Sequence, residues 1–234
     1  MRVVISAGGT GGHIYPALAI INKIKEMEPN SEFLYIGTTN RMEKDLIPSM
    51  GYRYEGIEVT GFKRKLTLDN FKTITNFINA IKRCKIIIKD FDPDIVIGCG
   101  GYVTAPVIYA AKKLGKKTFI HEQNSVVGLA NKFLARYTDK IGVSFESTIK
   151  DFPKGKAILT GNPCSEKALS IKKTTKEKLD IAKDKKLVLI VMGSLGSKTI
   201  NDKIFSFIDK FRSKNYSVII VTGNSYYERV KDKR

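Results

Sequence analysis

The chain of 234 residues has no tryptophan, only two histidines and only three cysteines. Cys84, Cys99 and Cys164 are widely spaced and odd in number, which excludes a paired disulfide framework and shows no zinc-ligand spacing. A reducing cytoplasm is therefore the expected compartment. His13 and His121 stand far apart and carry no metal signature. No apolar run approaches the ~20 residues that a membrane-spanning helix needs. The N-terminus reads as a strand, which predicts neither a signal peptide nor a transit peptide. Acidic residues are scarce, 23 against 41 Lys and Arg, for a net charge of +18. Residues 1–163 hold 24 basic and 15 acidic side chains, and residues 164–234 hold 17 and 8. The excess is therefore denser in the second stretch. Such a surface is drawn to polyanions, either nucleic acid or anionic lipid. No helix-turn-helix pairing, Cys/His finger or aromatic RNP-like strand accompanies it, so no nucleic-acid partner is expected. A lysine-rich compositional bias is the bland alternative.

What is present in abundance is glycine at one place. Val3-Val4-Ile5 reads as a buried strand, and the apolar spacing from Ile14 onward opens a helix. Between them Gly8, Gly9, Gly11 and Gly12 surround Thr10, with His13 next. Glycine allows a tight turn and close approach of the backbone to a ligand. Amides at a helix N-terminus favour an anion, so the stretch is suited to a phosphate or diphosphate. It is not the dinucleotide fingerprint, because Ile14 stands where the third glycine belongs and Phe33–Ile36 ends in Gly37-Thr38-Thr39-Asn40 without an acid. Nor is it an ATP-type loop, since no Gly-Lys-Ser/Thr follows Gly12.

Along the chain, helices are expected at 14–27, 41–50 and 68–90, with strands at 32–36, 52–59, 95–97, 118–120, 140–143 and 157–159. The apolar stripe of the 68–90 helix marks a core face, with a membrane-contact face as the second reading. Lys63-Arg64-Lys65 between Phe62 and Leu66 suits a lipid headgroup layer. A second glycine loop, Gly98-Cys99-Gly100-Gly101-Tyr102, follows the 95–97 strand, and Pro106 suits a first helical position. His121-Glu122-Gln123-Asn124 follows the 118–120 strand. Strands alternating with helices predict a parallel sheet covered on both faces, with the ligand at the strands' C-terminal ends. Both histidines lie at such ends. Beyond Pro163 a lysine-rich segment (164–186) leads to Leu187–Met192 and Gly193-Ser194-Leu195-Gly196, a strand and glycine loop repeating the opening theme. Ser197 stands where a P-loop needs glycine before Lys198. The division expected is an N-terminal domain (1–163), a basic linker (164–186) and an incomplete second domain (187–234), since a doubly wound domain needs roughly a hundred residues.

Taken together, Gly8–His13, Gly100-Gly101-Tyr102-Val103, His121-Glu122-Gln123-Asn124, Gly161-Asn162-Pro163 and Gly193-Ser194-Leu195-Gly196 resemble the MurG-type glycosyltransferases. The resemblance spans the chain but about two-thirds of the family's length. It implies an α/β protein of the GT-B fold: a Rossmann-like, parallel-sheet N-terminal domain plus the start of a second Rossmann-like domain. It implies inverting transfer of GlcNAc from UDP-GlcNAc to lipid I, the undecaprenyl-diphosphate-linked acceptor. That reaction gives lipid II for peptidoglycan, with the protein attached peripherally to an anionic membrane surface on its cytoplasmic face. No cofactor and no metal are implied. His13 is the expected base, with Glu122 as the alternative. By family analogy Thr10, Gly11, Gly12 and Asn124 approach the sugar donor and Ser194 its diphosphate. Gly100, Gly101 and Tyr102 join the substrate site. Ser165 takes the place of an arginine that the family usually uses on the donor. The competing class is a non-catalytic acceptor- and membrane-binding subunit of a split glycosyltransferase.

Overall fold

A computed structural model describes residues 1–59, 69–191, 197–206, 208–223 and 226–228. Two compact units result, Met1–Ser170 and Ile171–Arg234. In the first, seven strands form a parallel sheet: β1 (Arg2–Ser6), β2 (Glu32–Thr38), β3 (Arg53–Ile57), β4 (Ile95–Gly98), β5 (Lys117–Glu122), β6 (Lys140–Val143) and β7 (Ala157–Leu159), in the spatial order β3-β2-β1-β4-β5-β6-β7. The helices are α1 (Gly11–Met27), α2 (Glu43–Ser49), α3 (Asp69–Phe91), α4 (Thr104–Lys113), α5 (Leu129–Leu134) and α6 (Cys164–Ser170).

β1 is apolar without alternation because it is covered on both faces. Val4 joins Leu34, Ile36 and Val96 in a core roofed by Cys84, Ile88, Val107 and Leu134 of α3, α4 and α5. Val3 and Ile5 join Phe33 and Tyr35 in the opposite core, closed by Ile14, Leu18 and Ile21 of α1 and Ile47 of α2. Side chains alternate across a strand, so three adjacent apolar residues feed two separate cores. β1 pairs with β2 on one side and β4 on the other. The chain therefore reverses its direction of spread across the sheet between these strands, and this switch point is where doubly wound sheets open a crevice for ligands.

Several boundaries differ from expectation, and they matter for the site. α1 begins at Gly11, so Gly11, Gly12 and His13 are its first turn and not the loop before it. β5 runs on through Glu122, which puts His121 and Glu122 in register with Gly142 and Val143 of β6. α4 begins at Thr104, making Pro106 its third residue and not its first. α5 carries too short an apolar pattern to be read from sequence. The first unit extends through α6, whose Glu166 meets Lys23 of α1 at 2.8 Å.

The second unit pairs β8 (Lys186–Val191) with β9 (Tyr216–Val221) in parallel, with α7 (Lys198–Ser206) and α8 (Asp209–Arg212) between them. Asn201, buried in α7, donates Nδ2 to the backbone oxygen of Thr222 at 3.1 Å just after β9.

Candidate active site

Two glycine loops leave the adjacent strands β1 and β4 and lock backbone to backbone. Cys99 N donates to Ser6 O (2.8 Å) and Gly8 N to Gly100 O (3.2 Å). Gly101, at φ +87°, lies so close to Gly8 that an added Cβ would overlap the Gly8 carbonyl. Gly100, at φ +104°, lies under the His13 ring, where an added Cβ would stand 2.5 Å from Nδ1. Both positions require glycine for its left-handed backbone and its missing side chain. Gly100 and Gly101 thus make room for their neighbours. Tyr102, the residue after them, is 60% exposed.

Thr10 is the N-cap of α1, with an extended backbone and no capping hydrogen bond from its side chain. A threonine here ordinarily satisfies one of the first-turn amides. His13 N and Ile14 N both donate to Thr10 O (3.1 and 3.2 Å). The amides of Gly11 and Gly12 precede the first intrahelical bonds and point outward with the positive end of the helix dipole. The Thr10 hydroxyl, Gly11 and Gly12 therefore form a cluster of donors suited to an anion.

A buried carboxylate that the sequence did not single out fastens the loop from behind. Glu43, the first residue of α2, is fully buried and accepts from Thr38 Oγ1 (2.7 Å), Thr38 N (3.2 Å) and Gly9 N (3.2 Å). Tyr54 donates to Thr38 O at 2.6 Å and Tyr35 to Ala7 O at 3.0 Å. Burial, reinforced by the Glu43 charge among others, pushes both phenols well above their ordinary range. They therefore stay protonated and act as donors.

The third strand end supplies the histidine's partners. His13 Nδ1 lies 3.3 Å from Gln123 Oε1. Gln123 Nε2 lies 3.1 Å from both His121 Nδ1 and His121 O. His121 Nε2 stands 3.0 Å from Gly161 O and from Thr160 Oγ1. Burial pushes the His121 imidazole below the ordinary histidine value, with the Gly161 carbonyl and the Glu122 charge opposing.

Glu122, the alternative base, has both carboxylate oxygens engaged by backbone and side-chain donors. Oε1 accepts from Asn124 N (2.9 Å) and Asn124 Nδ2 (2.8 Å), and Oε2 from Gly128 N and Asn131 Nδ2 (both 2.9 Å). The carboxylate is buried and held by four donors, which fasten the 123–131 loop to the end of β5. Asn124 has an exposed side chain tied to that carboxylate. Ser165 lies exposed in the first turn of α6. Ser194 falls outside the described residues. Cys84 and Cys99 are buried, and burial pushes the Cys84 thiol up to about 12 and Cys99 higher still. Among the described residues no group of three His, Cys, Asp or Glu side chains is placed to hold a metal ion.

The structure thus brings together Thr10, Gly11, Gly12, His13, Gly100, Gly101 and the 121–124 strand end. A scan against protein-family models matches residues 3–143 to the glycosyltransferase family 28 N-terminal domain. The chain belongs to that family. Curated relatives agree with this. The chain is 48% identical over 233 residues to a Bacillus cereus protein named UDP-N-acetylglucosamine--N-acetylmuramyl-(pentapeptide) pyrophosphoryl-undecaprenol N-acetylglucosamine transferase 1, covering 99% of this chain and 64% of that protein. It is 46% identical, with the same coverage, to a Listeria welshimeri protein of corresponding name. The chain thus spans just under two-thirds of the length of these relatives. Among solved structures it is similar to Acinetobacter baumannii MurG, at TM-score 0.71 and 27% identity over 99% of this chain and 63% of that one. A Neisseria meningitidis UDP-GlcNAc 2-epimerase matches at TM-score 0.62, 16% identity, 99% of this chain and 69% of that chain, which speaks to the fold alone. The family 28 chain is thus an α/β protein of the GT-B type expected from its motifs.

Proposed function

We propose that this family 28 chain supplies the acceptor-side domain, and part of the donor-side domain, of an inverting hexosyltransferase. It moves GlcNAc from UDP-GlcNAc to lipid I, the undecaprenyl-diphosphate-linked acceptor, to form lipid II. The observation that carries this reading is His13: a histidine on the first turn of α1, one ring nitrogen engaged by Gln123, beside first-turn amides with no capping side chain. The relatives' names supply the substrates.

In this reading the Nε2 of His13 removes the proton from the attacking sugar hydroxyl. The oxygen forms its bond to the anomeric carbon from the face opposite the departing UDP, which inverts that carbon. Thr10 with the Gly11 and Gly12 amides meets negative charge at the reacting centre, and Asn124 approaches the sugar. Gly100 and Gly101 serve the site by holding His13 and the first loop, while Tyr102 faces the substrate. Ser194 serves the donor diphosphate, and Ser165 contributes a hydroxyl where the relatives' pattern has an arginine. The 234-residue chain by itself is inactive in this reading, because donor contacts also come from the part of the relatives it does not cover.

Membrane attachment is peripheral, on the cytoplasmic face. No described helix is long and apolar enough to cross a membrane. Ile74 and Ile78 of α3 are exposed beside Phe77, whose ring meets Phe133 of α5 edge-on, and Leu129 and Val126 are 71% and 75% exposed nearby in sequence. Lys132 and Arg136 are exposed on the same stretch. The basic triplet Lys63-Arg64-Lys65 lies outside the described residues and remains part of the proposal on charge alone.

The test is GlcNAc transfer to a lipid I analogue by a chimera that joins this chain to the part of the Bacillus cereus relative it does not cover. A general base contributes typically ~10²–10⁴-fold. His13→Ala is expected to lower kcat by that order with the donor KM nearly unchanged, and His13→Asn to be almost as damaging. Near-wild-type kcat in His13→Asn would make the histidine a loop fastener and end the base assignment.

A further inference from the structure

We propose that His121 and Gln123 form a positioning relay that fixes the proton of neutral His13 on Nδ1 and leaves Nε2 bare. The protons along this relay are dictated by two backbone carbonyls, which can only accept. The first is His121 O, 3.1 Å from the Gln123 amide, so the NH₂ end of that amide must face it and the oxygen end must face His13. The same nitrogen lies 3.1 Å from His121 Nδ1, which must therefore be an acceptor. The second carbonyl is Gly161 O, 3.0 Å from His121 Nε2, which must therefore carry the proton. Both ends give one answer: His121 is the neutral Nε2–H tautomer, and its burial supports the neutral form.

Gln123 Oε1 is then an acceptor facing His13 Nδ1 at 3.3 Å, and a hydrogen bond there requires His13 Nδ1 to donate. Turning the ring over would present a carbon to the amide oxygen, and Gly100 packs closely against the edge formed by Nδ1 and Cε1. The two histidines thus hold opposite tautomers. His13 carries the form with Nδ1–H, contrary to the Nε2–H form a solvated imidazole favours. Gln123 and His121 act through His13 and are positioning residues. The meaning of the bare Nε2, an acceptor ready for a hydroxyl proton, rests on the base reading of His13.

The tautomers can be read without substrate, because the chain has two histidines and both are in the relay. The protein labelled with ¹⁵N-histidine is examined by long-range ¹H–¹⁵N correlation at a pH where both rings are neutral. For His13 the expected pattern is a pyrrole-type Nδ1 and a pyridine-type Nε2, and for His121 the reverse. In Gln123→Met the His13 pattern is expected to swap to Nε2–H, while His121 keeps its proton on Nε2 against the Gly161 carbonyl. A wild-type His13 in the Nε2–H form overturns the relay, as does a His13 pattern unaltered in Gln123→Met. The wild-type spectrum decides even where the variant does not fold. A relay that is present alongside an active His13→Asn chimera would end the base reading and leave the relay standing.

Discussion

His121 couples the site to acidity through burial. Its pKa lies below the ordinary histidine value of ~6.5 because burial disfavours the imidazolium. Below that pH the unfolded chain binds the proton that the native ring resists. Native stability is therefore full above ~6.5 and declines as the pH falls from there toward the lower native pKa. Urea-unfolding midpoints at pH 7.5 and 5.5 are expected to drop for the wild type and to drop less for His121→Gln. An equal drop in both would mean that other groups set the slope. At this scale the site was legible where chemistry and position coincide, as with His13 after four glycines and His121-Glu122-Gln123-Asn124 at a strand end. Glu43 was not legible. A single acid at the start of a short helix reads as an ordinary first-turn residue, and its partners Thr38 and Gly9 lie on other segments. The hold on Glu122 was not legible for a related reason, since its donors Gly128 and Asn131 come from a loop and a short helix whose return onto the strand no local pattern announces.

Among the elements, α3 divides its apolar residues between two uses. Ala80, Cys84, Ile87 and Ile88 face the sheet, while Ile74 and Ile78 face outward. Helical spacing put Ile74, Phe77, Ile78, Ile81, Ile87 and Ile88 on one stripe read mainly as core, and Ile74 and Ile78 depart from it, because an apolar residue carries no mark of which neighbour covers it. Outward apolar groups beside cations suit the headgroup boundary of a bilayer. Co-sedimentation with anionic vesicles is expected to fall at least about tenfold in Ile78→Glu with Leu129→Glu, given ~1.5–3 kcal/mol for burying one such side chain fully. Retention of the double variant on vesicles at moderate salt would leave the basic residues as the whole attachment. The positions of β1, β2 and β4 were read well because these strands are covered on both faces and so appear as unbroken apolar runs. The ends of elements were read poorly. Glycine disfavours helix interiors, yet Gly11 and Gly12 occupy a first turn, where the backbone is already half free.

For the molecule as a whole, the two units differ in how much they close upon themselves. The first covers its sheet on both faces, while β8 and β9 leave Val188, Leu189, Val191 and Val221 exposed in the second. Local opening is cheapest where few apolar contacts are lost. In native-state hydrogen exchange the amides of β8 and β9 are expected to exchange faster than those of β1 and β4. Slower exchange in β8–β9 would show that the small unit is the more stable. Parallel topology was legible from the alternation of strands and helices, whereas the order β3-β2-β1-β4-β5-β6-β7 required the pairing itself, since no residue in β1 states which two strands will flank it.

The place of β1 in that order has a consequence for the chain while it is being made. Its two neighbours arrive at different times: β2 within some thirty residues, β4 only when Ile95 can meet Val3. At synthesis rates of roughly 5–20 residues per second, β1 waits about 5–20 s with one edge open before β4 is available. Once β2 has paired, β1 stays half paired for the rest of that interval, and its free edge is a template for other chains. The nascent protein is therefore most prone to wrong pairing between the emergence of β2 and that of β4, and α1, which closes one face early, is its main protection.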